Sequence, residues 1–327
     1  FRAYAEKAAA EICHFQNIGV LKTADSIYVG GGTPGALPLS AWQTLWEALD
    51  GVPLAGGAEF TVETNPESTT AEFLAMLKAH RVDRLSVGVQ SLNDRELAAI
   101  GRLHDGAAAL RAIDAAKQHG FSEISADLIY GLPGQTLSSF TDSLTRLLDA
   151  GVTHLSCYNL QIEKGTPFYD DPPALPDEDE EQAMYDALCD ITRARGFEHY
   201  EISSSAPSGH RARHNSGYWE RREYLGIGPS AHSFFDGTRR WQSADIPAWL
   251  GAPVGSFAGT ETLTPEDERT ERIMLGLRTD RGVPAKELSA AVVQKYVAAG
   301  LGEIRAGRFV LNDRGMLFSN TVISDLI

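Results

Sequence analysis

Along the first half of the chain, short apolar runs that end in glycine or polar residues alternate with segments whose apolar residues recur at helical spacing. SIYVGGG predicts a strand, Leu39 to Leu49 a helix, EFTVETN a strand and Thr70 to Ala79 a helix. The beat repeats: RLSVGVQS predicts a strand, Asp94 to Ile100 and Ala107 to His119 two helices, EISADLIYGLP a strand, Leu137 to Leu148 a helix and HLSCYNLQI a strand. Such βαβα alternation predicts an α/β fold of parallel strands with helices packed outside, and leaves open whether the sheet is doubly wound or a full or partial (β/α) barrel. After Glu163 the texture changes to KGTPFYDDPPALPDEDEEQ, a connection rich in proline and acid whose end caps a helix from about Glu180 to Arg195. Its acid run reads as solvated surface. From about Leu263 a helical unit ends in GEIRAGRFVLNDRGMLFSN, two short strands around a turn, which predicts a small winged-helix-like appendage. A length of 327 residues suits one large domain with a smaller addition.

Charge and cysteine usage narrow the partners. Lys and Arg number 29 against 44 Asp and Glu, a net charge of −15 that repels phosphate backbones and anionic lipid, so nucleic acid is not expected as a partner. No run approaches the roughly 18 apolar residues of a membrane span, and a soluble, cytoplasmic protein is expected. Three scattered cysteines, Cys13, Cys157 and Cys189, make no disulfide framework and predict free thiols in a reducing compartment. The chain starts at Phe1 with no signal peptide after it, so the expectation is that it begins inside a longer native sequence.

The polar residues fall where α/β proteins build sites, at the C-terminal ends of the strands: Gly30 to Pro34, then Glu63 to Pro66, then Gln90 and Ser91, then Asp127 and Tyr130 to Pro133. GGGTPG formally satisfies a dinucleotide fingerprint, but the acid that should follow about 20 residues later on the next strand is misplaced, since Glu63 comes 33 residues after Gly30. There is no Lys-Ser/Thr of a P-loop, no HExxH and no GxSxG. The glycine run still brings bare backbone to a ligand, which suits an amino-acid moiety as well as a phosphate.

In order, YVGGGTPG, VETNPES, RLSVGVQSLNDRELAAIGRLHD, SADLIYGLPGQT and HLSCYNLQIEKGTPF resemble the radical S-adenosylmethionine (SAM) proteins that include oxygen-independent coproporphyrinogen III oxidase and a heme chaperone. The resemblance spans nearly the whole chain. It implies a partial (β/α) barrel over residues 1–180, a continuation of that core over 181–262, and a winged-helix-like domain over 263–327. It also implies SAM contacts at Gly31, Gly32 and Thr33 for the methionine end, and at Glu63, Gln90, Arg102 and Asp127 around the rest of the pocket. Some relatives hold a second SAM, and Gln90, Arg102 and Asp127 suit either molecule. The Cys-x-x-x-Cys-x-x-Cys loop that carries the family's [4Fe-4S] cluster lies upstream of the first helix, so its ligands are expected before Phe1.

One motif separates the two relatives. His214-Asn215-x-x-Tyr218-Trp219 matches the HNxxYW of the heme chaperone branch. The resemblance then implies His214 as the axial ligand of heme iron, with Asn215, Tyr218 and Trp219 against the porphyrin. Arg211, Arg213, Arg221 and Arg222 form a local cationic cluster suited to two propionates. The same Tyr and Trp would also suit a loop covering the barrel mouth, and His232 in GIGPSAHS reads either as a second ligand or as a turn histidine, with the turn preferred. The leading expectation is a heme chaperone that hands heme to an acceptor protein. The alternative is the enzyme of porphyrin biosynthesis that decarboxylates coproporphyrinogen III propionates, and a plain nucleotide-binding domain comes third.

Overall fold

A computed structural model describes residues 1–327. Helix α1 (Arg2–Asn17) precedes strand β1 (Ala24–Val29), α2 (Leu39–Leu49), β2 (Leu54–Thr64), α3 (Ala71–Ala79), β3 (Arg84–Gln90), α4 (Asp94–Ala99), α5 (Gly106–Gln118), β4 (Glu123–Tyr130), α6 (Leu137–Asp149) and β5 (His154–Asn159). Two helices, α7 (Pro167–Asp170) and α8 (Glu178–Ala194), lead to β6 (Glu198–Glu201), β7 (Ser204–Ala206) and α9 (Arg213–Trp219). The remainder comprises β8 (His232–Phe235), β9 (Thr238–Trp241), α10 (Ile246–Gly251), β10 (Gly259–Thr262), α11 (Pro265–Gly276), β11 (Val283–Pro284), α12 (Ala290–Ala298), β12 (Gly302–Arg305), β13 (Arg308–Leu311), α13 (Asp313–Leu317) and α14 (Ser319–Ser324).

The main sheet has seven strands in the order β1-β2-β3-β4-β5-β7-β6. Strands β2 to β5 run parallel, and β7 joins β5 and β6 antiparallel. Successive strands are added on one side without the reversal that defines a doubly wound sheet, so the architecture is a partial (β/α) barrel, closed at neither edge.

Two compact units compose the chain. One contains Tyr28–Gly35 and Phe60–Ala212. Every residue of β3 is buried there, as expected for a parallel strand covered on both faces. Leu85, Val87, Ile124 and Leu128 of the strands and Leu74, Leu77, Ile113 and Leu144 of the surrounding helices are all buried in the core, each such side chain contributing about 1.5–3 kcal/mol relative to exposure. Arg84, a buried cation at the start of β3, is compensated by Glu123 at 3.2 Å and the carbonyl of His210 at 3.0 Å.

The other unit contains Phe1–Ile27, Ala36–Glu59 and Arg213–Ile327. In it, the apolar face of α1, with Ala5, Ala8, Ile12 and Phe15 buried, and the stacked Trp42–Trp46 pair of α2 build one core. Glu11, also buried on α1, accepts from the Trp249 indole at 3.1 Å and the Gly228 amide at 3.4 Å. Toward the C-terminus, α11, α12 and the antiparallel sheet β11-β13-β12 form the winged-helix-like segment. Its hairpin turns at Ala306 and Gly307, both at positive φ, the conformation that a two-residue loop between right-twisted strands requires.

Several expectations change. The HNSGYW stretch is helix α9 rather than a loop. His232 does not sit in a turn: it opens β8, opposite Trp241, with the two rings stacked at 6.2 Å. The sheet β10-β9-β8 and strand β11 had no legible pattern, because their strands are two to four residues long and carry charged positions such as Arg239 and Arg240. The acid run leading into α8 is exposed and caps the helix, both as expected. Asp177 and Glu180 form a capping box there, and four acids occupy the first turn, where the helix dipole favours them.

Candidate functional site

Two constellations stand out, one in each unit. The first is built on strand ends. The Tyr28 hydroxyl donates to Glu63 Oε1 at 2.6 Å, and the Gly31 amide donates to Oε2 at 3.0 Å. Burial, followed by the charge of Glu63, pushes the Tyr28 phenol upward, so it remains the donor. A Cβ at residue 30 would fall onto the Glu63 carboxylate, so any larger residue there would push that carboxylate from its place. At Gly31 and Gly32 a Cβ would meet no atom within 4 Å, so this backbone faces open space beside a fixed carboxylate. Thr33 Oγ1 accepts from Asn65 at 3.3 Å, which joins the glycine loop to the turn after β2.

Asp127 lies inside β4 rather than at its end. Its register partner on β5 is Ser156, and Ser86 of β3 donates to both carboxylate oxygens at 3.4 Å. Desolvation, then the charge of Glu63, raises Asp127 to about 7, while Ser156, Ser86 and Arg102 oppose the rise. Glu63, Asp127 and Arg102 therefore share one electrostatic environment. Gln90 ends β3 at a register irregularity with φ +66°, and a Cβ on Gly88 would crowd both its amide and Asn65. Of the SAM residues expected from sequence, Gly31 is hydrogen-bonded to Glu63, and Asp127 feels the charges of Glu63 and Arg102. Gly32 and Thr33 adjoin Gly31 on the glycine loop, and Gln90 lies next to Asn65.

Sequence reading missed the residues that hold these loops. His104 is buried between the Glu67 carboxylate and the Val89 carbonyl, both at 3.1 Å. Glu96 is buried and accepts from Ser91 at 2.6 Å, Gln135 at 3.1 Å and Ser139 at 2.5 Å, tying the turn after β3 to the one after β4. Both lie within RLSVGVQSLNDRELAAIGRLHD, but neither belongs to an apolar period that would have marked it as buried. Cys13 is exposed on α1, whereas Cys157 and Cys189 are buried, and burial pushes the Cys157 thiol far up. These three do not fit a [4Fe-4S] cluster, which needs thiolates converging on one small loop.

The second constellation is α9. Buried Glu59 of β2 accepts the backbone N–H groups of Arg213 and His214, each at 3.0 Å, and so holds the first turn. His214 Nδ1 lies 2.8 Å from Ser26 Oγ of β1, and Nε2 lies 2.9 Å from the Tyr218 hydroxyl. The His214 and Tyr218 rings meet edge to face at 4.9 Å, and Tyr218 meets Tyr224 likewise at 4.8 Å. Burial lowers His214 below the ordinary imidazole value against the opposing charge of Glu59, so the ring is neutral at pH 7. Asn215 and Trp219 sit part-exposed on the same helix, and Tyr218 is exposed.

The arginines do not form the free cationic patch expected from sequence. Arg211 pairs with Glu198 and Arg222 with Glu220, while Arg221 pairs with Glu271. Arg213 donates to the Gly57 carbonyl. Apart from Arg213, each is engaged by a neighbouring acid, Glu220 being shared with Arg281 and Glu271 with Arg239, which a linear reading of the stretch does not reveal.

Residues 14–147 match the family described as the radical SAM superfamily, and residues 263–318 match the HemN C-terminal domain. The chain is 35% identical to the heme chaperone HemW of Mycobacterium tuberculosis, over 100% of this chain and 85% of that one. It is 33% identical to the heme chaperone HemW of Bacillus subtilis, over 91% and 84%. Among solved structures it is similar in fold to the radical SAM enzyme coproporphyrinogen III oxidase of Escherichia coli, with a TM-score of 0.84 and 19% identity over 98% of this chain and 82% of that one.

Proposed function

The chain belongs to the HemW family of radical SAM proteins, and from that membership we propose that it binds heme at α9 and passes it to an acceptor protein. The observation that carries the reading is His214: a neutral imidazole on a short, part-exposed helix, fixed at Nδ1 by Ser26 and flanked by aromatic side chains. A neutral imidazole is a strong axial donor to heme iron. Trp219 and Tyr218 add apolar surface for the porphyrin, and Asn215 adds a polar contact.

The strand-end constellation suits the amino-acid end of SAM. Glu63, fixed by Tyr28 and Gly31, accepts an ammonium, and the open backbone at Gly31 and Gly32 permits close approach of the methionine moiety. Thr33, Gln90, Arg102 and Asp127 complete the polar surround. In this superfamily SAM supplies radical chemistry when bound at a [4Fe-4S] cluster. Here the chain's own residues bind and orient SAM.

Transfer separates the chaperone from the decarboxylating enzyme. Heme-loaded full-length protein, mixed with an apo-globin as acceptor, should lose its heme band as the acceptor gains one. The same protein with SAM, cluster and reductant should leave coproporphyrinogen III unconverted. Turnover of coproporphyrinogen without heme transfer would replace this reading with the enzymatic one.

A further inference from the structure

We propose that Ser26, His214 and Tyr218 form a tautomer-setting latch, in which Ser26 holds Nδ1–H so that Nε2 is the ligating nitrogen, and the Tyr218 hydroxyl occupies Nε2 until iron displaces it. The proposal rests on the reading of His214 as the heme ligand. A neutral imidazole has one N–H and one lone pair, and both ring nitrogens of His214 have a hydroxyl within 2.9 Å. The two hydroxyls are not equivalent. A phenol is a stronger hydrogen-bond donor than an alcohol, so Tyr218 O–H takes the lone pair and the Ser26 oxygen accepts the N–H. That pattern leaves the proton on Nδ1 and the lone pair on Nε2, the arrangement that metal-bound histidines adopt when a second group accepts the other ring N–H.

The geometry also accounts for the spacing of the motif. His214 and Tyr218 are four residues apart, one above the other on α9, which is what brings the phenol onto the imidazole edge. Ser26 comes from β1, outside the motif, and the Glu59 clamp on the Arg213 and His214 amides sets the height of the ring against it. Tyr218 is the exposed member of the three, 42% accessible, so it can swing away while Ser26 stays. Iron then takes the place of the phenolic proton at Nε2, and no change of tautomer is needed.

The two hydroxyls therefore have opposite expected effects. Tyr218→Phe keeps the ring and removes the competitor, so hemin should bind about five-fold tighter, as loss of one competing hydrogen bond implies, with an unchanged Soret position. Ser26→Ala should weaken binding by a similar factor and lower the iron–histidine stretching frequency in resonance Raman, because the Nδ1–H loses the acceptor that increases ligand basicity. Ser26→Thr should restore both. In the heme-free protein, nitrogen NMR of the His214 ring should show the proton on Nδ1, with that preference lost in Ser26→Ala. A ring protonated on Nε2, or a Tyr218→Phe protein that binds hemin more weakly than wild type, overturns the latch. If His214→Ala instead keeps the wild-type heme spectrum, the ligand assignment falls and the latch with it, an outcome that the NMR result alone cannot mimic.

Discussion

Glu63 is held from two sides by the chain itself, through Tyr28 and the Gly31 amide. Its replacement by alanine should weaken SAM binding in the cluster-reconstituted full-length protein by about 1–3 kcal/mol, the loss expected for a charge-assisted contact, and calorimetry showing unchanged affinity would remove Glu63 from the site. Asp127 makes a different prediction, about pH. Its carboxyl is raised to about 7, so the folded state binds a proton more tightly than the unfolded chain does. That contribution to stability is fully present below the unfolded value, and it is lost as pH rises through about 7. The stability of Asp127→Asn relative to wild type should thus improve by on the order of 1 kcal/mol between about pH 6 and pH 8.5, measured by urea unfolding. An advantage that grows toward acid would contradict the assignment. Glu63 and the glycine run were legible, because polar groups at a strand end break the apolar pattern. Ser86 and Ser156 were not, because a serine among the buried residues of a strand looks like any other spacer.

Helix α9 has seven residues, too few to persist without help. Its order comes from Glu59, which satisfies two first-turn amides and places a negative charge at the positive end of the helix. Removing that carboxylate in Glu59→Ala leaves two donors unmatched, and it should cost about 2–3 kcal/mol of stability. Hydrogen exchange should quicken in α9 and leave β3 to β5 unchanged. Equal loss of protection in both would show that Glu59 supports the whole protein rather than this helix. The longer elements were legible from periodicity and caps: α2 spans Leu39–Leu49 as expected, and α3 begins after the Thr70 cap. HNSGYW was not read as a helix because its glycine and lack of an apolar stripe hide the period, and the clamp that orders it comes from a residue more than a hundred positions away.

Across the whole molecule, βαβα alternation specified the layers but not the winding, which only the strand order of the main sheet decides. No helix is long and apolar enough to cross a membrane. The net charge of −15 sets a field in which a heme acceptor with a basic surface would associate faster at low salt. Arg221 and Arg222 near α9 are already engaged by acids, so heme at the proposed α9 site would be held by iron ligation and aromatic contact, with Arg213 the cation left there for a propionate. Hemin titration of wild type, His214→Ala and His232→Ala therefore decides whether α9 holds heme through His214. A saturable Soret band is expected in wild type, a shifted and weaker one in His214→Ala, and near wild-type behaviour in His232→Ala, whose ring stacks on Trp241 in the native protein. If His214→Ala keeps both the wild-type spectrum and the wild-type affinity, His214 is not the iron ligand and α9 is not the heme site.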